Sequence, residues 1–131
     1  MDNSKEKNDW AEQWMKIAIE TDNPPHYEVS NFGRLRSFQN SKEGKLLKGS
    51  VIQGYKSLNI RLAKGKSFNR YVHKLVAKYF IAGESKESKF VIHLDYDKSN
   101  NHYANLKWVT KEEMIIHNRT NPNVTNKARP V

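Results

Sequence analysis

The stretch FVIHLDYDKSNNHYANLKWVT, residues 90–110, decides how this chain reads. Two short apolar runs, Phe90–Leu94 and Leu106–Val109, flank a polar loop that carries Asp95, Asp97, Asn100, Asn101, His102 and Asn105. His93 lies near the end of the first run. Short runs rich in Val, Ile and Trp, bounded by polar turn residues, predict two strands. Thr110 is a good helix N-cap, and Glu112 and Glu113 fall in the first turn, where the positive helix end favours acids. The helix KEEMIIHNR, residues 111–119, carries Met114, Ile115 and His117. Strand, polar loop, strand and helix thus gather imidazoles, carboxylates and amides in one short span. That density points to a catalytic or metal-holding loop, yet apolar Ile92 directly precedes His93 and apolar Met114 sits on the helix.

Working upstream, HKLVAKYFI (73–81) has Leu75, Val76, Tyr79 and Phe80 at helical spacing and predicts about two turns of helix. YKSLNIRL (55–62) alternates, with Leu58, Ile60 and Leu62 on one face and Ser57, Asn59 and Arg61 on the other. FNRYV (68–72) is its hairpin partner across AKGKS. YEVSNFGRLRSF (27–38) gives an extended run, a turn at Ser30–Gly33, and a strand with Leu35 inward and Arg34 and Arg36 outward. EGK and QGY mark further turns. WAEQWMKIAI spaces Trp10, Trp14 and Ile17 as an amphipathic helix, though its end also fits a strand. The expected fold is α+β: a small basic antiparallel sheet module (10–70), then a helix and a ββα unit (71–119). Residues 1–9 are expected to be disordered and 120–131 to form a flexible tail or linker.

The chain has 131 residues, 23 Lys and Arg against 14 Asp and Glu, and no cysteine. One domain's length with 37% hydrophobic residues implies a small core. The absence of cysteine removes disulfides and thiolate zinc sites and suits a reducing compartment. With no apolar leader and no membrane-length apolar run, a cytoplasmic protein without membrane association is expected. A net charge of +9 favours nucleic acid as the partner. Between Gly33 and His73 the cations are Arg34, Arg36, Lys42, Lys45, Lys48, Lys56, Arg61, Lys64, Lys66 and Arg70, against the single acid Glu43. Such one-sided clustering favours phosphate contact over a merely solvated face.

The motifs H-x-D at His93–Asp95, K-x-N-N at Lys98–Asn101, N-L-x-W-V-T at Asn105–Thr110 and E-x-x-x-H at Glu113–His117 resemble the HNH endonucleases. Upstream, YEVSNFGRLRS and VHKLVAKYF resemble the DNA-binding module that accompanies HNH domains in homing endonucleases. The resemblance spans about Trp14 to His117. It implies a ββα-metal fold and hydrolysis of duplex DNA, with His93 as general base and Asn105 fixing the loop and orienting that imidazole. It also implies one divalent cation such as Mg2+, held by an Asp or Asn just before the histidine and by an Asn or His on the helix. It further implies a ββα unit lying against the minor groove, with Lys98, Asn101, Lys107 and His117 near phosphate.

At the two metal-ligand positions this sequence has Ile92 and Met114, and neither side chain suits a hard cation. His117 and Asp95, with Asp97 beside it, are the remaining candidate ligands. Two function classes follow: a duplex DNA-binding regulator or accessory factor that needs no cofactor because cleavage is lost or weakened, and a nuclease dependent on Mg2+ or another divalent cation. A basic RNA-binding protein is a third class, without a stacking-aromatic motif behind it. Candidate DNA-binding residues are Arg34 and Arg36 for base contact, with Lys48, Lys56, Arg61, Arg70, His73, Lys98 and Asn101 along the backbone. His93 also reads as a buried histidine that pins the loop, Asn105 as a loop-locking amide, and His73 as a cap. The sequence sets no oligomeric state.

Overall fold

Short extended runs, most of them in the first half of the chain separated by glycine turns, make this chain pair locally, strand by strand. The computed structural model describes residues 11–122. Its first sheet has the order β1 (Trp14–Lys16), β2 (Tyr27–Ser30), β3 (Leu35–Ser37) and β4 (Lys45–Leu47), all antiparallel. The second consists of β5 (Ser50–Ile52), β6 (Tyr55–Arg61) and β7 (Ser67–Tyr71). Helix α1 (Val72–Phe80) follows β7 without a loop. Strands β8 (Phe90–His93) and β9 (Leu106–Val109) form a two-stranded sheet, and α2 (Lys111–Arg119) closes the ββα unit.

The predicted hairpin across AKGKS is present, with Ile60 opposite Phe68 and Leu58 opposite Arg70. The hairpin before it turns on two residues, Gln53 and Gly54, both at positive φ (55° and 87°). That turn twists with its strands and pins Ile52 opposite Tyr55. Thr110 caps α2 as expected, and a full capping box forms with Glu113.

Two expectations are corrected. The basic stretch is not one sheet: Arg36, with Arg34 just ahead of β3, belongs to the four-stranded sheet, whereas Lys56, Arg61 and Arg70 belong to the second. The helix alternative for Trp14 and Ile17 gives way to β1, which pairs Trp14 with Ser30 and Lys16 with Glu28. A segment this short gains little as an isolated helix, whereas the open edge of β2 supplies hydrogen-bond partners. Trp10, residues 1–9 and most of the expected tail lie outside the described residues.

One hydrophobic cluster runs through the molecule, from Ile17 and Val29 through Leu58, Ile60 and Val76 to Val91 and Trp108. It crosses the expected boundary at residues 70 and 71, because α1 packs against strands on both sides of it. Leu35, Val29, Ile60, Val72 and Val76 are wholly buried, each worth roughly 1.5–3 kcal/mol relative to exposure. Trp108 adds a polar tie: its indole Nε1 donates to Ile81 O at 3.0 Å and to Ala77 O at 3.3 Å, holding the end of α1 against β9.

Candidate functional site

The register of β8 and β9 pairs Ile92 with Lys107 and His93 with Leu106, so the loop of residues 94–105 opens at one end of the hairpin. Helix α2 folds back over β8. Between them lies a small cleft of about 60 Å³, lined among others by Tyr55, Ile92, His93, Tyr96, Met114 and His117. The sequence-predicted base, its apolar predecessor and both helix residues are therefore brought together.

His93 is buried, and its Nε2 bonds to Asn101 Oδ1 at 2.8 Å. An amide oxygen only accepts, so the proton resides on Nε2 and Nδ1 carries the lone pair. Burial pushes the His93 pKa down, and the Asn101 bond and the charges of Asp95 and Asp97 counter this only in part. A neutral imidazole with a basic nitrogen is what proton abstraction requires.

Asn105 does not orient this ring. Its Oδ1 accepts from the Asp95 amide at 3.0 Å, and its Nδ2 donates to Asp95 Oδ1 and Asn100 O, both at 2.9 Å. It starts β9 from a 3-10 turn, and its short side chain spans the loop base, so it serves as the loop lock and Asn101 takes the imidazole. Asn101 is accordingly 4% exposed and is not a backbone phosphate contact.

The residues present do not fit a hard cation. Ile92 and Met114, at the positions where the resemblance leads one to expect metal ligands, line the cleft with apolar side chains. His117 Nε2 donates to the His93 carbonyl oxygen at 2.8 Å, and its ring stacks on Tyr96 at 4.1 Å. Asp95 is committed to the loop: Oδ1 accepts from the Asp97 amide and from Asn105, and Oδ2 from Asn100. These bonds, led by that from Asn100, hold its carboxyl below the usual range. Asp97 likewise accepts from the Ser99 amide and hydroxyl. Among the described residues no group of three or more His, Cys, Asp or Glu is arranged to hold a metal. Tyr96 also sits at φ 67°, a left-handed conformation that bulky side chains rarely take, with its hydroxyl bonded to Thr120.

The candidate DNA-contacting cations separate into engaged and exposed sets. The Arg34 guanidinium makes a two-pronged pair with Glu12. Arg36 pairs with Glu28 at 2.7 Å and lies 4.0 Å from the Trp14 ring centroid. Lys56 is half-buried, and its Nζ donates to Gly33 O at 3.2 Å. Lys98 reaches Gln53 O and lies 4.6 Å from the Tyr55 ring centroid. His73 is buried in the first turn of α1, stacked on Tyr55 at 4.8 Å and 5.0 Å from the His93 ring, so it neither caps the helix nor meets solvent phosphate. Burial, with His93 and Lys74 nearby, pushes its pKa down to about 3.

Lys48, Arg61 and Arg70 are exposed. Arg70, at the end of β7, shares a surface cleft with Lys74 and Lys78, which stand one turn apart on α1; the i, i+4 spacing of the two lysines is the signal that the sequence offers for them. Tyr55, Tyr96 and Trp14 were also missed, and only their long-range contacts reveal them.

Residues 12–61 match the family model of the NUMOD4 motif, and residues 70–114 that of the HNH endonuclease. The uncharacterized HNH endonuclease L245 of Acanthamoeba polyphaga mimivirus is 44% identical over 111 residues, 83% of this chain and 30% of the relative. The DNA endonuclease I-HmuI of Bacillus phage SP01 is 42% identical over 89 residues, 66% of this chain and 48% of that protein. The chain thus spans less than half the length of these curated relatives. A solved structure showing DNA binding and cleavage by the HNH homing endonuclease I-HmuI superposes with a TM-score of 0.66 at 33% identity, covering 88% of this chain and 63% of that one. With the NUMOD4 motif ahead of an HNH unit whose imidazole, loop lock and capped helix are all in place, this chain belongs to the HNH homing endonuclease family.

Proposed function

We propose that this chain is a duplex DNA-binding protein whose strand cleavage is lost or weakened, acting in the cytoplasm as a regulator or accessory factor. The observation that carries this reading is the pair Ile92 and Met114 in the cleft beside His93. Hydrolysis of a phosphodiester needs charge neutralisation on the phosphate, a contribution of several kcal/mol that apolar side chains do not supply. The cationic surface does not depend on that cleft. Lys48, Arg61 and Arg70 are exposed and stand outside its lining, and the net charge is +9; Lys98, over Tyr55, is a cation of the cleft itself. Arg34 and Arg36 contact DNA only where phosphate or base displaces Glu12 and Glu28. In this division residues 10–70 grip the duplex and residues 71–119 form the nuclease-like unit beside it.

A metal-dependent endonuclease is the second reading. It is favoured by His93, which keeps a neutral ring with Nε2 bonded and Nδ1 available. Its cation would need donors other than Ile92 and Met114.

Supercoiled plasmid incubated with Mg2+ or Mn2+, against EDTA and His93→Ala controls, separates the two. Retarded but uncut plasmid is expected; nicking that requires both the metal and His93 would establish the second reading in its place.

A further inference from the structure

The hydrogen bond that sets the His93 ring originates in a loop that the other module holds. Asn101 is buried and uses Oδ1 for His93, while its Nδ2 has no hydrogen-bond partner among the described residues. Half of its amide is therefore fixed by packing rather than by bonding. The packing partner is the Ser30–Gly33 turn of the NUMOD4 segment. Gly33 sits at φ 86°, and a Cβ there would fall 2.7 Å from Asn101 Cβ and 2.9 Å from Asn101 O, closer than real carbon contacts allow. Beside it, the Tyr103 amide donates to Asn31 O at 2.8 Å, and the Phe32 ring stacks on His102 at 4.9 Å.

The turn is itself rigidly tied. Asn31 Oδ1 accepts from the Gln13 amide at 2.7 Å, and Asn31 Nδ2 donates to Ala11 O at 3.0 Å. Lys56, from the second sheet, donates to Gly33 O. We infer that Asn101 is the positioning residue that selects the Nε2–H tautomer of His93, and that the Asn31–Gly33 turn of the NUMOD4 segment positions Asn101. The imidazole of the HNH unit is thus set from the module that carries the grip. Hydrogen-bonded partners behind a functional histidine commonly fix which ring nitrogen holds the proton; here the support for that partner arrives from another part of the chain.

The inference rests on the reading of His93 as the functional imidazole, but it is tested on the ring nitrogens and not on DNA. The full chain is labelled with 15N-histidine and the His93 nitrogens are recorded at pH 7.5, with a melting curve for every variant. The parent should hold the proton on Nε2. Asn101→Leu should give a mixture of tautomers, and Asn101→Asp, which keeps an acceptor, should retain Nε2–H. Gly33→Ala should move His93 in the same direction as Asn101→Leu. Where Gly33→Ala fails to fold, Phe32→Leu decides, because it keeps the turn's backbone and removes only the stack on His102.

A parent ring protonated on Nδ1, or an unchanged tautomer in Asn101→Leu, would overturn the role of Asn101. A folded Phe32→Leu with His93 signals identical to the parent would overturn the link between modules. Mobility shifts on the same samples keep the outcomes apart: a parent that ignores duplex DNA while its tautomer responds as stated refutes the binding reading alone.

Discussion

His117 on α2 ties itself to His93 through the backbone, its Nε2 donating to the His93 carbonyl oxygen at 2.8 Å. The helix imidazole thereby fastens α2 onto β8, and Tyr96 stacked at 4.1 Å covers its face. The cleft's geometry is thus maintained by contacts other than those of Ile92 and Met114.

Restoring oxygen donors should therefore restore cation binding. Ile92→Asp with Met114→Asn places two such donors beside His93. The parent's melting temperature should not respond to millimolar Mn2+. The double variant should gain several degrees, because a ligand at a hundredfold excess over its Kd stabilises by about 2.7 kcal/mol. A variant that folds yet shows no Mn2+-dependent rise would mean that the cleft lacks the family geometry.

The two classes of arginine should separate on two instruments. Arg36 pairs with Glu28 and covers Trp14, so Arg36→Ala removes an ion pair and a stack and should cost about 1–2 kcal/mol in urea unfolding. Arg61 is exposed, and Arg61→Ala should leave unfolding unchanged. In mobility shifts across salt, Arg61→Ala should lower the slope of log affinity against log salt by about one. Equal unfolding losses in both variants would contradict this division.

Acid should destabilise the protein through His73. Its native pKa is pushed to about 3, below the ordinary value near 6.5, so between these limits the unfolded chain takes up a proton that the native chain refuses. Stability is fully present above about pH 6.5 and is lost progressively as pH falls towards 3. Burial lowers His93 as well and adds in the same direction. Glu12, Glu28 and Asp95, all held below their usual values, add further losses only in the carboxylate range. His73→Phe should flatten the fall between pH 7.5 and 5, read as urea midpoints, with the carboxylate-range loss retained. Parallel curves for parent and variant would place the acid sensitivity elsewhere.

The ββα unit was legible because each of its signals is local: two short apolar runs, a Thr cap three residues before Glu113, and His93 at a strand end. The hairpin across AKGKS was legible for the same reason. The partner of the imidazole was not, because Asn101 and Asn105 are chemically alike in one loop, and it takes the folded loop, with Asn105 engaged by Asp95 and Asn100 and Asn101 packed against Gly33, to decide which faces His93. Nor was the state of the cations legible. Alternation correctly turned Arg34 and Arg36 away from Leu35, but their acids come from Glu12 and Glu28, 22 and 8 residues away in sequence. The burial of His73 depends on Tyr55 and His93, which the fold brings against it from two other strands.

Trp108 belongs to the core, and its indole nitrogen makes it more specific than bulk packing. Trp108→Phe keeps much of the apolar volume but leaves Ile81 O and Ala77 O without the Nε1 donor at the end of α1. The Ala77 carbonyl retains the Ile81 amide at 3.1 Å, so the Ile81 carbonyl bears most of the loss. Leaving a partly buried acceptor unsatisfied, together with the smaller ring, should cost about 1–3 kcal/mol. Because α1 carries His73 against His93, the loss should reach the cleft: amide exchange at the C-terminal turn of α1 should quicken, and the His93 ring signals should broaden while Lys45 and its neighbours in β4, at the edge of the first sheet, stay sharp. Fast exchange spread evenly over all three sheets would instead indicate that Trp108 contributes only bulk packing.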